Sequence, residues 1–184
     1  MTMVSANESR TSRHIISIAL GLACIALFVT LRMRWIGHLL VWDEAMALCT
    51  VRSFLSHGTD DFSNWFWRHP PLFSMLMTLL HPLKAGFAER VEILSIIIGV
   101  INLLILFQLN RKVLGTTTGI WSIFFLAVQP GSVFFDTWIK TDHTATTFGL
   151  LALLLLSSKQ CLYSGLCLGL AMLSKETGIF YVIA

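Results

Sequence analysis

Between Val91 and Leu109 the chain reads VEILSIIIGVINLLILFQL, nineteen residues with one ionisable group, Glu92. A helix of that length rises ~28 Å, close to the ~30 Å hydrocarbon core of a bilayer. In lipid every backbone N–H and C=O must be bonded inside the element, so such a run specifies a helix. Residues 14–31, 117–135, 143–157 and 161–174 are four further apolar segments of spanning length or nearly so. A sixth opens at Gly178 and has seven residues, GIFYVIA. A span takes ~17 to 25, so the chain reads as the N-terminal part of a longer protein.

The composition agrees. Hydrophobic residues make up 55% and charged residues 12%, with a mean hydropathy of +0.76, against roughly half apolar and a quarter charged in soluble domains. The expected fold is all-α, a polytopic transmembrane helix bundle. The net charge of +3 is scattered, and no Lys/Arg cluster with interleaved aromatics marks a nucleic-acid partner. Cysteines 24, 49, 161 and 167 show no CxxC or Cys/His ligand spacing and read as buried free thiols. No metal or other cofactor is called for, although a divalent ion stays open.

The polar, basic start and apolar core of residues 1–31 have the outline of a signal peptide. The run Ile15–Leu31 is long for an h-region, and ALFVTLRMR offers no small-residue cleavage site, which favours an uncleaved first span.

Residues 32–90 are the longest stretch without a span. In DEAMALCTVRSFLSHG, Leu48, Val51 and Leu55 share one helical face and Thr50, Ser53 and His57 another, with Gly58 as a stop. After the polar turn GTDDFSNW comes FWRHPPLFSMLMTLLHPLK, where Pro70 and Pro71 suit a helix start and His81-Pro82 an end. Its dozen apolar residues suit an interfacial piece, with Trp65, Phe66 and Trp67 at interface depth. Two membrane-surface helices in the first extracytoplasmic loop are therefore expected.

With a cytoplasmic N-terminus, the turns NRK (110–112) and SSK (157–159) are cytoplasmic as well, and nine of the ten acidic residues, all but Glu8, fall on the other side. Lys and Arg alone do not favour this orientation, with five inside and eight outside. The outer side then collects Asp43, Glu44, Arg52, Arg68, His69, Lys84, Arg90, Lys140, Asp142, Lys175 and Glu176 near membrane boundaries. Charges at such depth are costly and mark functional sites.

Asp43 reads as a helix N-cap or as a catalytic carboxylate, with Glu44 favoured in the first turn by the helix dipole. Arg68 and His69 are aimed from a backbone restricted by the following Pro-Pro, or snorkel in an aromatic belt. In FFDTWIKTDH, Asp136 reads as a solvated turn, whereas Asp142 opens the next helix. Lys175 and Glu176 are either a plain turn or part of a site. Gly165 and Gly169 form a GxxxG pair expected to pack closely against a neighbouring helix, and QPG at 129–131 is expected to kink the third span. Glu92 and Asn102 are given no role.

The ordered series DEAMAL, RHPPLF, ERVEILSIIIGVINLLILFQLNRKVLG, AVQPGSVFFDTWIKTD and GLCLGLAMLSKETG resembles the C-type glycosyltransferase superfamily, in its protein mannosyltransferase-like and aminoarabinose transferase-like branch. The resemblance implies an integral enzyme of the cell membrane, as in the bacterial inner membrane, that moves a sugar from a polyprenyl-phosphate donor to a lipid, glycan or protein hydroxyl outside the cytoplasm. By position it makes Asp43 the catalytic carboxylate with Glu44 beside it, and Asp142 the acid of a TD pair. It sets His69 at a place associated with the carrier phosphate, Arg90 at the opening of the second span, and Lys175 with Glu176 in a basic loop motif.

Such chemistry needs cations around a departing phosphate more than a general acid, and one carboxylate to take the acceptor proton. Adjacent Asp43 and Glu44 point in different directions on a helix and do not flank one sugar as glycosidase carboxyls do; Asp142 is the better second acid. The other reading is a non-catalytic membrane subunit that binds or transports a lipid-phosphate carrier, or an inactive fragment.

Overall fold

The computed structural model describes the backbone of residues 3–37, 42–57, 72–79, 87–138 and 140–183, with side chains at all of these except 3–11, 13, 14, 42, 43, 46, 52–54, 56, 57, 87, 134, 135, 176, 182 and 183. Arg68, His69, the aromatic belt at 65–67 and the prolines at 70, 71 and 82 lie outside the described residues. So do the side chains of Asp43 and Glu176.

Among the described residues the protein is helical, with no strand. The order is α1 (Met3–Met33), α2 (Trp42–His57), α3 (Leu72–Thr78), α4 (Phe87–Leu114), α5 (Thr116–Val128), α6 (Pro130–Phe135), α7 (Asp142–Ser157) and α8 (Cys161–Ser174), then a 3-10 turn (Glu176–Ile179) leading into α9 (Phe180–Ile183). Two stretches, Ile15–Met33 and Ala88–Leu114, are long and apolar enough to cross a membrane. The other three predicted spans are shorter: α5, α7 and α8 have 13, 16 and 14 residues, or ~20 to 24 Å of rise.

Helix α4 is the pillar. One of its faces carries Val91 and Ile98 into a core with Leu48 and Val51 of α2 and Phe73 and Met77 of α3. Another carries Ile96 and Leu103 into a core with Cys24 and Phe28 of α1 and Ile123 and Ala127 of α5. Gly99 permits this second contact: a Cβ there would lie 2.6 Å from Phe28 Cζ. Outside these seams the helices present Ile97, Ile101, Leu104, Trp121, Phe125, Leu162 and Leu166 to the surroundings. Apolar side chains all round a helix pair suit lipid rather than water.

The first loop departs from expectation in detail. Helix α2 begins at Trp42, so Asp43 stands inside its first turn rather than at the cap. Leu48 and Val51 are buried as expected, but Leu55 is exposed and Thr50 is buried, because the packed face runs through Glu44, Leu48 and Val51. Helix α3 has seven residues instead of a dozen. Of the cysteines, Cys24 and Cys167 are buried free thiols, while Cys49 and Cys161 are exposed.

Small residues do join α7 and α8, but not the expected pair. A Cβ added at Gly165 or Gly169 would meet nothing within 4 Å. The buried small residues are instead Ser164, Cys167, Ala171 and Ser174 on α8 and Ala145, Gly149 and Ala152 on α7; Ser164 Oγ donates to Ala152 O at 2.9 Å, while Gly149 makes room for the Tyr181 ring of α9. Slim side chains let two backbones approach where lipid supplies no hydrophobic drive.

Candidate functional site

The site begins at a helix break. Pro130 has no N–H to give Leu126 O, and Gln129 turns extended (φ −63°, ψ 122°), ending α5 and capping α6 through a bond from Ser132 N to its side-chain oxygen. The predicted kink in the third span is thus a full stop and restart. Carbonyls of the last α5 turn are left without helical partners, and Arg32 from the end of α1 supplies them. Its Nη1 donates to Ala127 O at 3.1 Å and Phe28 O at 3.2 Å, and its Nη2 reaches Leu126 O at 3.4 Å.

Arg32 is fully buried, and its guanidinium carbon sits 3.3 Å from the centre of the Phe28 ring. A buried cation persists only with a counter-charge and satisfied donors. Asp136 supplies the charge: its Oδ2 accepts from Arg32 Nε at 2.9 Å, Arg32 Nη2 at 2.6 Å and Ser132 Oγ at 2.5 Å. Ser132 also accepts from Arg32 Nη2 at 2.6 Å. Asp136, expected as a solvated turn residue, is therefore a structural anion with 17% exposure.

Above this pair opens a cleft of ≈ 390 Å³ which, among the described residues, is lined by Lys140, Asp142, His143 and Lys175. Asp142, in the first turn of α7, receives Lys175 Nζ at 2.5 Å. Lys175 is placed by the end of α8, where it turns extended (φ −160°, ψ 146°) and the following 3-10 turn doubles back. Gly178 makes that return possible, since a Cβ there would meet Ala171 backbone atoms at 2.5 Å. Lys140 Nζ lies 4.5 Å from the Trp138 ring centre. Two lysines against one carboxylate leave the lining net cationic.

Behind the lining residue His143 the interior of the bundle is polar. His143 is 7% exposed, and its carbonyl accepts from Thr147 Oγ1 at 2.8 Å and Asn102 Nδ2 at 3.4 Å. Asn102 is fifteen residues into α4, ~22 Å along its axis, so the short α7 starts far from the Phe87 end of the pillar. The cleft is recessed. Among the described residues Asn102 Oδ1 and Thr144 Oγ1 are buried without a hydrogen-bond partner, groups that water or a ligand customarily meets.

Of the residues expected to form a site, Asp142 and Lys175 are brought together. Arg90 is half-buried in the first turn of α4 and is not among the described lining residues. Glu44, in the first turn of α2, is fully buried. Glu92, given no role, accepts from Gly37 N at 2.7 Å and ties the turn after α1 to α4. Arg32, Ser132 and His143 were not singled out by sequence reasoning, and Asp136 was set aside. The available signals were an arginine closing an apolar run and the Ser132/Asp136 pair four residues apart after a proline.

Fold and cleft together define a membrane-embedded helical bundle with a recessed, cation-lined pocket at one end. The family model described as dolichyl-phosphate-mannose-protein mannosyltransferase matches residues 68–184, more than half of the chain, and the chain belongs to this family of C-type glycosyltransferases. The matched region includes Arg68, His69, Arg90, Asp142, Lys175 and Glu176 and begins after Asp43 and Glu44. No curated protein and no solved structure shows a match.

Proposed function

We propose that the protein transfers a sugar from a polyprenyl-phosphate donor to an acceptor hydroxyl, with the donor phosphate seated in the cleft of Lys140, His143 and Lys175. The observation that carries this reading is the cleft itself: a net cationic, recessed pocket among apolar helices, in a chain of a mannosyltransferase family. Such a place suits a charged headgroup whose lipid tail stays in the bilayer.

In the transfer the acceptor oxygen bonds to the sugar's anomeric carbon as the bond from that carbon to the phosphate oxygen breaks. The electron pair leaves with the polyprenyl phosphate, and the hydroxyl proton passes to a carboxylate, for which Asp43 is the proposed base. Charge grows on the phosphate oxygens during this step, so ammonium and guanidinium donors placed there stabilise the transition state more than the ground state. Lys175 is the first of these cations. Asp142 holds its ammonium in place, and the phosphate displaces or shares that contact. His69, Arg68 and Arg90 are the proposed further phosphate partners, with Glu44, Asp142 and Glu176 in support.

The turns NRK and SSK lie at one end of the bundle, joined by Lys112 Nζ donating to Ser158 Oγ at 2.6 Å. With that end in the cytoplasm, as proposed, the cleft lies on the extracytoplasmic face. The test is release of polyprenyl phosphate from a mannosyl polyprenyl-phosphate donor by the protein in proteoliposomes with membrane extract as acceptor. Release that depends on Asp43 and Lys175 supports transfer. Tight donor binding with no release, unchanged in Asp43→Asn, points to a carrier-lipid binding subunit instead.

A further inference from the structure

The two oxygens of Asp136 do different things. Oδ2 takes three donors, two from Arg32 and one from Ser132, while Oδ1 faces His143 Nδ1 at 3.6 Å. A carboxylate kept only to neutralise Arg32 has a better arrangement available, the side-by-side fork in which each oxygen takes one N–H. Here both Arg32 donors converge on one oxygen, and the other is turned to the imidazole of a cleft residue. A carboxylate opposite one ring nitrogen fixes the tautomer and direction of a histidine.

We infer that Asp136 is a positioning residue for His143: it draws Nδ1–H toward Oδ1 and turns the Nε2 edge of the ring to the cleft, where Nε2–H donates to a phosphate oxygen. The inference rests on the reading of the cleft as a lipid-phosphate site. With a phosphate on one side and Asp136 on the other, the ring is held as the imidazolium, both nitrogens carrying a proton. The separation of 3.6 Å is an ion-pair distance rather than a hydrogen bond, and contacts of this kind tighten when a ligand is seated.

The geometry traces back to the proline. Pro130 and extended Gln129 leave the α5 carbonyls open, Arg32 caps them, Arg32 fixes Oδ2 of Asp136, and Oδ1 is thereby directed at His143. Lys140, Asp142 and Lys175 line the same cleft, so a phosphate there meets His143 beside two ammonium groups.

The test uses the whole chain in nanodiscs, with a polyprenyl monophosphate as probe and inorganic phosphate as control. The informative variant is Arg32→Gln/Asp136→Asn, which removes both buried charges together and leaves no unpaired charge, with its fold checked by thermal unfolding. Nitrogen-15 histidine spectra, assigned with His143→Gln, should show the Nδ1–H form in the ligand-free wild type and two protonated nitrogens on adding the lipid phosphate. Both signatures should be lost in the double variant. Dissociation constants for the lipid phosphate should rise about tenfold or more in His143→Gln and in the double variant, the loss of one charge-assisted bond.

A ring spectrum identical in the double variant and the wild type overturns the role of Asp136. A changed spectrum with His143→Gln binding within twofold of wild type overturns the phosphate contact. Failure of the wild type to bind the lipid phosphate overturns the reading of the cleft, while the ligand-free spectra still decide whether Asp136 orients the ring.

Discussion

Replacing Asp136 by Asn leaves Arg32 charged at a site with no exposure to solvent. The guanidinium keeps its bonds to Phe28, Ala127 and Leu126 carbonyls and to Ser132, but it loses Asp136, its carboxylate partner among the described residues. Breaking a buried ion pair from one side costs about 3–5 kcal/mol, since the remaining charge stays buried. Total stability is of order 5–15 kcal/mol, so the variant loses a large share of it. At roughly 2–4 °C per kcal/mol for a chain of this size, thermal unfolding in nanodiscs should move down by about 6–20 °C. Arg32→Gln/Asp136→Asn, which buries no unpaired charge, should recover most of that loss. An Asp136→Asn midpoint within a degree or two of wild type, or a double variant less stable than the single, would refute the claim that this pair holds α1 to the α5–α6 break.

Other expectations follow from the same geometry. Gly99→Leu forces side-chain atoms into Phe28, whose ring already lies 2.6 Å from a Cβ position there, and overpacking should cost about 1–3 kcal/mol in thermal unfolding while disturbing the ring under Arg32. Gly178→Val cannot keep its present approach to Ala171, where a Cβ would already sit 2.5 Å from backbone atoms; lipid-phosphate binding should weaken several-fold because Lys175 is displaced, whereas Gly165→Ala, with open space around it, should bind as the wild type does. Lys175→Ala should weaken binding of a polyprenyl monophosphate by about 10- to 100-fold, the value of a charge-assisted bond to an anion, a change that lipid-phosphate titration reads directly.

The sequence displayed the bundle well because hydropathy is local: a run such as residues 91–109 can satisfy its backbone in lipid only as a helix. Asp142 and Lys175 were legible for a similar reason, as charges set at the ends of apolar runs. Pairings made by tertiary structure were not. Arg32 and Asp136 are 104 residues apart, and nothing near either one announces the other. The small-residue seam of α8 shows the same limit. GxxxG is a packing pattern, but which face of α8 meets α7 was decided by Ser164, Cys167, Ala171 and Ser174, spaced three, four and three residues apart. In α2, Leu55 fits the apolar face by periodicity yet lies exposed, because α3 and α4 cover only the part through Leu48 and Val51.

The central claim is that the cleft holds a sugar-bearing lipid phosphate for transfer and that a carboxylate activates the acceptor. Its most direct measurement is mannosyl transfer from a polyprenyl-phosphate donor in proteoliposomes, made alongside donor binding, for wild type, Asp43→Asn and Lys175→Ala. Asp43→Asn should bind the donor within about threefold of wild type but transfer at least ~100-fold more slowly, as loss of a positioned base requires, while Lys175→Ala should bind it about 10- to 100-fold more weakly. Unchanged transfer by both variants would contradict the claim.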